Sequence, residues 1–232
     1  MVEIPLPRLA LSLLPLLVVG FISFRWTRKE GGLSLATVRM IVQLLAVGYL
    51  LVGLFTVQNI WASLGVVVFM IAVSSLIAIR TIKEQRAQAY RDALLAIGLG
   101  GGAVLLLVVF GVLALDPWYE PRYLIPISGM IFANAMTAVT LSAERLDSER
   151  GHGRDYESAR NAAWNASLIP QVNSFLAVGL VSLPGMMTGQ ILAGASPLDA
   201  VRYQIMVMAM VLGSAGIAVA IFLHQRRPGS TA

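Results

Sequence analysis

The stretch ALLAIGLGGGAVLLLVVFGVLAL (residues 93–115) decides the fold. It carries no formal charge from end to end and is bounded by Arg91 and Asp92 on one side and Asp116 and Pro117 on the other. As a helix rising 1.5 Å per residue it covers about 34 Å, enough to cross the ~30 Å hydrocarbon core of a bilayer. Backbone amides in that core have no water to bond, so an isolated apolar segment satisfies them only as a helix. Six further apolar stretches flank it, at 6–24, 40–58, 60–79, 123–143, 168–195 and 203–223. The pattern predicts an all-α, polytopic transmembrane bundle of about seven spans, forming one membrane domain over residues 1–232.

Composition agrees. Of the 232 residues 57% are hydrophobic and 12% charged, against about 25% charged in soluble domains, which need a wetted shell. The net charge of +5 does not point to nucleic acid, because the cations sit in short clusters between apolar runs. With no cysteine in the chain, disulfides, zinc–thiolate sites and iron–sulfur ligation are excluded. The first residues lack the basic region of a cleavable signal, so residues 6–24 read as a retained span with its N-terminus outside.

Lys and Arg between the spans set the expected orientation, since cytoplasmic loops are enriched in them. Fourteen of the 17 fall on one side: Arg25, Arg28, Lys29, Arg39, Arg80, Lys83, Arg86, Arg91, Arg145, Arg150, Arg154, Arg160, Arg226 and Arg227. Only Arg8, Arg122 and Arg202 fall on the other. This predicts seven spans, N-terminus out and C-terminus cytoplasmic. The outer loop DPWYEPRY (116–123) offers Trp118, Tyr119 and Tyr123 to the headgroup region. The cytoplasmic loop at 144–165 is too short for a core of its own and is expected as a surface helix.

Several reaction classes lack their residues. All twelve acidic residues fall in loops or at span ends, as Asp92 and Glu144 do, and neither His152 nor His224 is mid-membrane. A proton-coupled carrier needs an ionisable group in its path, and an intramembrane protease needs a carboxylate pair, a Ser/His pair or metal ligands. No G-x-x-x-x-G-K-[ST] loop occurs, so an ATP-driven role needs a separate ATPase. The glycine run at 98–102 opens a span and has no following Lys. Gly98/Gly102 and Gly185/Gly189 stand at helix spacing, where small residues let helices approach closely.

The side-chain amides within spans include Gln43, Asn134, Gln171, Asn173, Gln190 and Gln204. Amides in lipid turn toward other helices or a wet cavity, so each is either a helix-to-helix bond or part of a substrate path. The sixth stretch is the most irregular, reading LVSLPGMMTGQ (180–190). Pro184 removes an amide donor and Gly185 adds freedom. Such an interruption is either a plain kink or a path element, because freed carbonyls at membrane depth must line protein or water. Met186 and Met187 are adjacent there. Together with Met206, Met208 and Met210 they read as apolar packing in preference to a soft-metal site, and no metal ligand set is assigned.

Three segments then carry a resemblance: GLVSLPGMMTGQILAGASPLDAVRYQIMV (179–207), VRMIVQLLAVGYLL (38–51) and LIPISGMIFANAMTAV (124–139). Together they resemble the FetB-type ABC-transporter permeases, an iron-export family with plant relatives linked to aluminium tolerance and, in one case, UDP-glucose transport. They cover the second, fifth, sixth and seventh spans in compatible order. The resemblance implies a permease subunit that pairs with itself in a bacterial plasma membrane. It also implies a separate cytoplasmic ABC ATPase that hydrolyses ATP, with no cofactor and no nucleic acid bound by this chain. Gln43, Asn134, Gln171, Asn173, Pro184, Gly185, Met186, Met187, Gln190 and Gln204 become the candidate substrate path.

One departure stands out. Relatives have a longer loop between the fifth and sixth spans, with an E-x-L-x-L-G-A-like element positioned to dock on the ATPase. Here the loop reads ERLDSERGHGRDYESARNAAWNASLIP (144–170), and Arg145, Glu149, Arg154, Glu157 and Arg160 are the docking candidates. Either a shorter helix around 155–165 docks, or coupling is weakened and the chain is a non-transporting scaffold or regulatory subunit. A permease for another small solute, such as a nucleotide sugar, is the remaining alternative.

Overall fold

In a computed structural model, residues 5–27, 32–57, 59–82 and 85–227 are described; Arg28, Lys29 and Lys83 of the basic clusters lie outside them. The chain forms two compact units, one ending at Val57 and one beginning at Gln58. In the first, α1 (Leu6–Leu11) and α2 (Leu14–Thr27) precede the long α3 (Gly32–Val57). The second contains α4 (Ile60–Ala78), α5 (Arg86–Leu106) with a π-helical extension (Leu107–Val112), α6 (Pro121–Gly151), α7 (Tyr156–Ala177), α8 (Gly185–Leu192) and α9 (Pro197–Gln225).

The all-α, multi-span architecture is the one the apolar stretches require. Among the described residues six helices are long and apolar enough to cross a membrane: Pro7–Trp26, Leu35–Thr56, Ile60–Ala78, Arg86–Val112, Pro121–Gly151 and Pro197–Gln225. The stretch expected as the sixth span is divided instead, into the second half of α7 and the short α8.

α9 is the central element of the second unit, touching α5, α6, α7 and α8. Small residues make this possible. A Cβ on Gly100 would lie 2.8 Å from the Ala218 backbone nitrogen, and one on Gly101 would lie 2.8 Å from the Phe132 ring. So α5 packs backbone to backbone on α9 and against an aromatic face of α6. The expected close-approach pairs are not used this way. Gly98 meets only Ile71 at 3.6 Å, and Gly102, Gly185 and Gly189 have nothing within 4 Å. Spacing marks small positions but not which face is turned inward.

The region 144–165 is not a loop carrying a separate surface helix. α6 runs 31 residues, to Gly151, about 46 Å at helical rise and so some 16 Å longer than the hydrocarbon core. A short turn leads into α7, whose amide at Ser158 is capped by the Asp155 carboxylate at 3.0 Å. The two helices form a hairpin. Hydrogen bonds from the Ser158 hydroxyl and amide hold the Asp155 carboxyl below the ordinary carboxylate range.

This hairpin, the α4–α5 turn and the end of α9 lie together. One cleft joins Thr81, Gln85, Asp147, Arg150 and Arg226, and another joins Arg160 and Arg227. Three of the four basic clusters counted along the sequence are thus gathered at one end of the second unit.

Candidate functional site

The interruption expected at Pro184 begins earlier. α7 ends at Ala177, where the Val178 amide still donates to the Ser174 carbonyl at 3.0 Å. Gly179 then takes φ +79°, a left-handed backbone that glycine adopts without a Cβ penalty. The Gly179 amide donates to the Ser182 carbonyl at 3.0 Å, closing a tight reversal that leaves Leu180 and Val181 exposed. Pro184 does not break a helix; it is the extended N-cap of α8, with Gly185 the first helical residue. A proline has no amide to satisfy at a helix start, so the position suits it. α8 ends at Leu192, the chain turns at Gly194, φ +99°, and Ser196 caps α9 by accepting from the Asp199 amide at 3.2 Å.

Between this break and the first half of α9 lies a cleft of about 400 Å³. α7 and its reversal contribute Phe175, Val178 and Gly179, the α8 start contributes Leu183, Pro184 and Met187, and α9 contributes Val201, Gln204, Ile205, Met208 and Ala209. Gln204 and Met208 are one turn apart and so share a face. Gln204 is the single polar side chain in this lining. It is 6% exposed, and its Oε1 finds no hydrogen-bond partner among the described residues. The amide oxygens of Gln171 and Gln190 are likewise buried without partners. A buried acceptor left unmet costs about 1–3 kcal/mol, and Gln171, Gln190 and Gln204 place one such amide each on α7, α8 and α9.

The candidate path residues therefore separate. Pro184, Met187 and Gln204 line the cleft. Gly185, Met186 and Gln190 lie on α8, with Met186 packed against the core, and Gln171 is buried on α7. Asn134 is spent within its own helix, donating to the Met130 carbonyl at 2.8 Å. Asn173 is exposed on α7, and Gln43 is exposed on α3 in the other unit. Among the methionines of α9, Met210 is buried in the core while Met208 faces the cleft. Among the described residues no three His, Asp or Glu side chains group as metal ligands.

The expected docking set also divides. Glu149, 6% exposed, is gripped by Arg145 at 2.5 Å and Arg154 at 2.9 Å. These three fasten the end of α6 to the following turn. Glu157 and Arg160 are exposed on the first turns of α7, with the Arg160 guanidinium donating to the neutral Asn161 Oδ1 at 3.1 Å.

One further contact was not foreseen. Asp92 does not merely open a span; it is buried inside α5 and faces Arg226 of α9 at 3.5 Å, an ion pair without a hydrogen bond. Arg145 and Glu149 could have been paired from their i,i+4 spacing, whereas nothing local links residues 92 and 226.

Comparison with known proteins places this architecture among relatives. The family described as Uncharacterised protein family (UPF0014) matches residues 6–227. The chain is 36% identical to the UPF0014 membrane protein slr1647 of Synechocystis sp., over 84% of this chain and 81% of that one. It is 35% identical to the Escherichia coli protein named Probable iron export permease protein FetB, over 94% and 90%. It is 32% identical to Protein ALUMINUM SENSITIVE 3 of Arabidopsis thaliana, over 82% and 73%. No solved structure matches.

Proposed function

For a chain that belongs to the UPF0014 family of multi-pass membrane proteins, we propose the role of membrane-spanning permease subunit in an ABC-type exporter. The observation that carries it is the cleft at the α7–α8 interruption, whose otherwise apolar lining includes Gln204, a residue with a buried and unmet carbonyl oxygen. Irregular backbone at membrane depth is tolerated where it lines a cavity, and such breaks are where transporters hold their substrates. The relative named as an iron export permease supports the same reading.

Energy comes, in this proposal, from a separate cytoplasmic ATPase, since the chain has no phosphate-binding loop. The exposed first turns of α7 with Glu157 and Arg160 offer the docking surface, at the basic and therefore cytoplasmic end. Two copies of the chain assemble around the path. The cleft offers an amide and two thioethers, not the carboxylates or imidazoles that iron prefers. A metal cargo would cross with its charge covered by its own ligands.

A second reading, a non-transporting scaffold, is favoured by one observation: Arg145, Glu149 and Arg154 are bound to one another and not presented to a partner. Purification of the tagged chain in mild detergent separates the two. Recovery of a P-loop ATPase, with ATP-dependent uptake of radiolabelled iron into inverted vesicles, is expected for the permease. Absence of both the ATPase and the uptake leaves the scaffold.

A further inference from the structure

We propose that the cleft between the first turns of α7 and the last turns of α9 binds a phosphate group. It holds about 380 Å³, between Tyr156, Arg160 and Trp164 on one helix and Leu223, His224 and Arg227 on the other. No carboxylate lines it among the described residues. Two arginines, one on α7 and one just past the end of α9, thus line one small space with no carboxylate among its lining residues. Arginine forks match the oxygens of a phosphate in pairs, with charge added to the hydrogen bonds.

The walls are fixed before any ligand arrives. The Tyr156 hydroxyl donates to the Leu223 carbonyl, tying α7 to α9. The Trp164 ring lies against α9 where it passes Gly216, 3.7 Å from the place a Cβ would occupy. Of the acids at this end, Glu149 is held by Arg145 and Arg154, Asp155 accepts from Ser158, and Glu157, one turn before Arg160, is exposed and does not line the cleft. The cationic field is felt at Tyr156, where Arg160, Arg227 and Arg150 each favour the phenolate while burial outweighs them and raises the phenol.

Position suggests two sources for the phosphate. The cleft sits where the polar start of α7 gives way to its apolar half, and basic pockets between membrane helices take anionic headgroups. A soluble phosphorylated compound reaching the same end would meet the same two guanidinium groups.

The test uses the full chain in detergent, by native mass spectrometry with short-chain phosphatidylglycerol and phosphatidylcholine and by thermal shift with inorganic phosphate. The variants are Arg160→Gln with Arg227→Gln, the same pair changed to Lys, and Arg202→Gln, which alters a cation at the opposite end. If a lipid headgroup is the ligand, phosphatidylglycerol binds the wild type and R202Q in preference to phosphatidylcholine. The Gln pair then weakens it about thirtyfold, roughly fivefold per guanidinium removed, and the Lys pair restores only the part that charge without a fork supplies. If inorganic phosphate raises the unfolding midpoint of the wild type but not of the Gln pair, while the two lipids bind alike, the source is soluble. Neither probe distinguishing wild type from the Gln pair overturns the site.

Discussion

Gly100→Ala adds one methyl group to α5, and the structure says where it goes. Its Cβ would lie 2.8 Å from the Ala218 nitrogen and 3.0 Å from the Ala218 Cα, roughly 0.6 Å inside the 3.4 Å at which ordinary contact begins. Both neighbours are backbone, so no rotamer change relieves the clash and α5 must move off α9. Overpacking of this kind costs about 1–3 kcal/mol, less the ~1 kcal/mol that alanine gains over glycine in a helix. Gly102→Ala is the matched control two residues away, with nothing within 4 Å of its Cβ. It keeps the helix gain without the clash. In detergent, unfolding followed by size-exclusion fluorescence should place the G100A midpoint roughly 2–12 °C below that of G102A, since the helix gain cancels and about 1–3 kcal/mol of overpacking remains at 2–4 °C per kcal/mol. Equal midpoints, or a more stable G100A, would refute the backbone-to-backbone packing of α5 on α9.

Three other perturbations have defined outcomes. Gln204→Leu removes a buried amide whose oxygen is unmet, so thermal stability should hold or rise by up to ~1 kcal/mol while ATP-driven transport falls; a loss of stability with transport intact would assign the residue to packing. Arg226→Ala leaves the Asp92 carboxylate buried without its partner and should cost about 3 kcal/mol, read as a lower unfolding midpoint and recovered in part by adding Asp92→Asn. Tyr156→Phe deletes the hydroxyl that donates to Leu223 and should cost about 1 kcal/mol. Because burial raises the Tyr156 phenol, its contribution is fully present below the unfolded value near 10 and is lost as pH rises through the higher folded value. A pH series of midpoints should therefore show the wild-type advantage over Y156F fading only above about pH 10.

The spans were legible because membrane insertion is decided by composition over some 20 residues, and stretches such as 93–115 admit one solution. The basic clusters of the second unit were legible for a similar reason, since its alternate helix ends return to one end of that unit. What was not legible depends on rotation and on distance. Gly98, Gly100, Gly101 and Gly102 look alike in sequence, and only the turning of α5 selects Gly100 for Ala218 and Gly101 for Phe132. At the candidate site, Pro184 pointed to the right neighbourhood for the wrong reason. The helix ends seven residues earlier, because Gly179 can turn left-handed and the reversal through Ser182 satisfies the freed amides. Gln204 was recognisable as a polar residue in a span, but its unmet oxygen needs the three-dimensional surroundings. Asn134 carries the same type of amide and satisfies it one turn back on its own helix.

The close approach at Ala218 gives α9 a fulcrum. From there it is fourteen residues to Gln204 and eight to Arg226, arms of about 21 Å and 12 Å at helical rise. If α9 swings as a stiff rod about that point, a sideways step at the cleft reappears at the basic end in the opposite direction and at roughly 0.6 of its size. Spin labels near the two ends would register opposed displacements in that ratio, and two displacements in the same direction would mean that the rod slides instead of rocking.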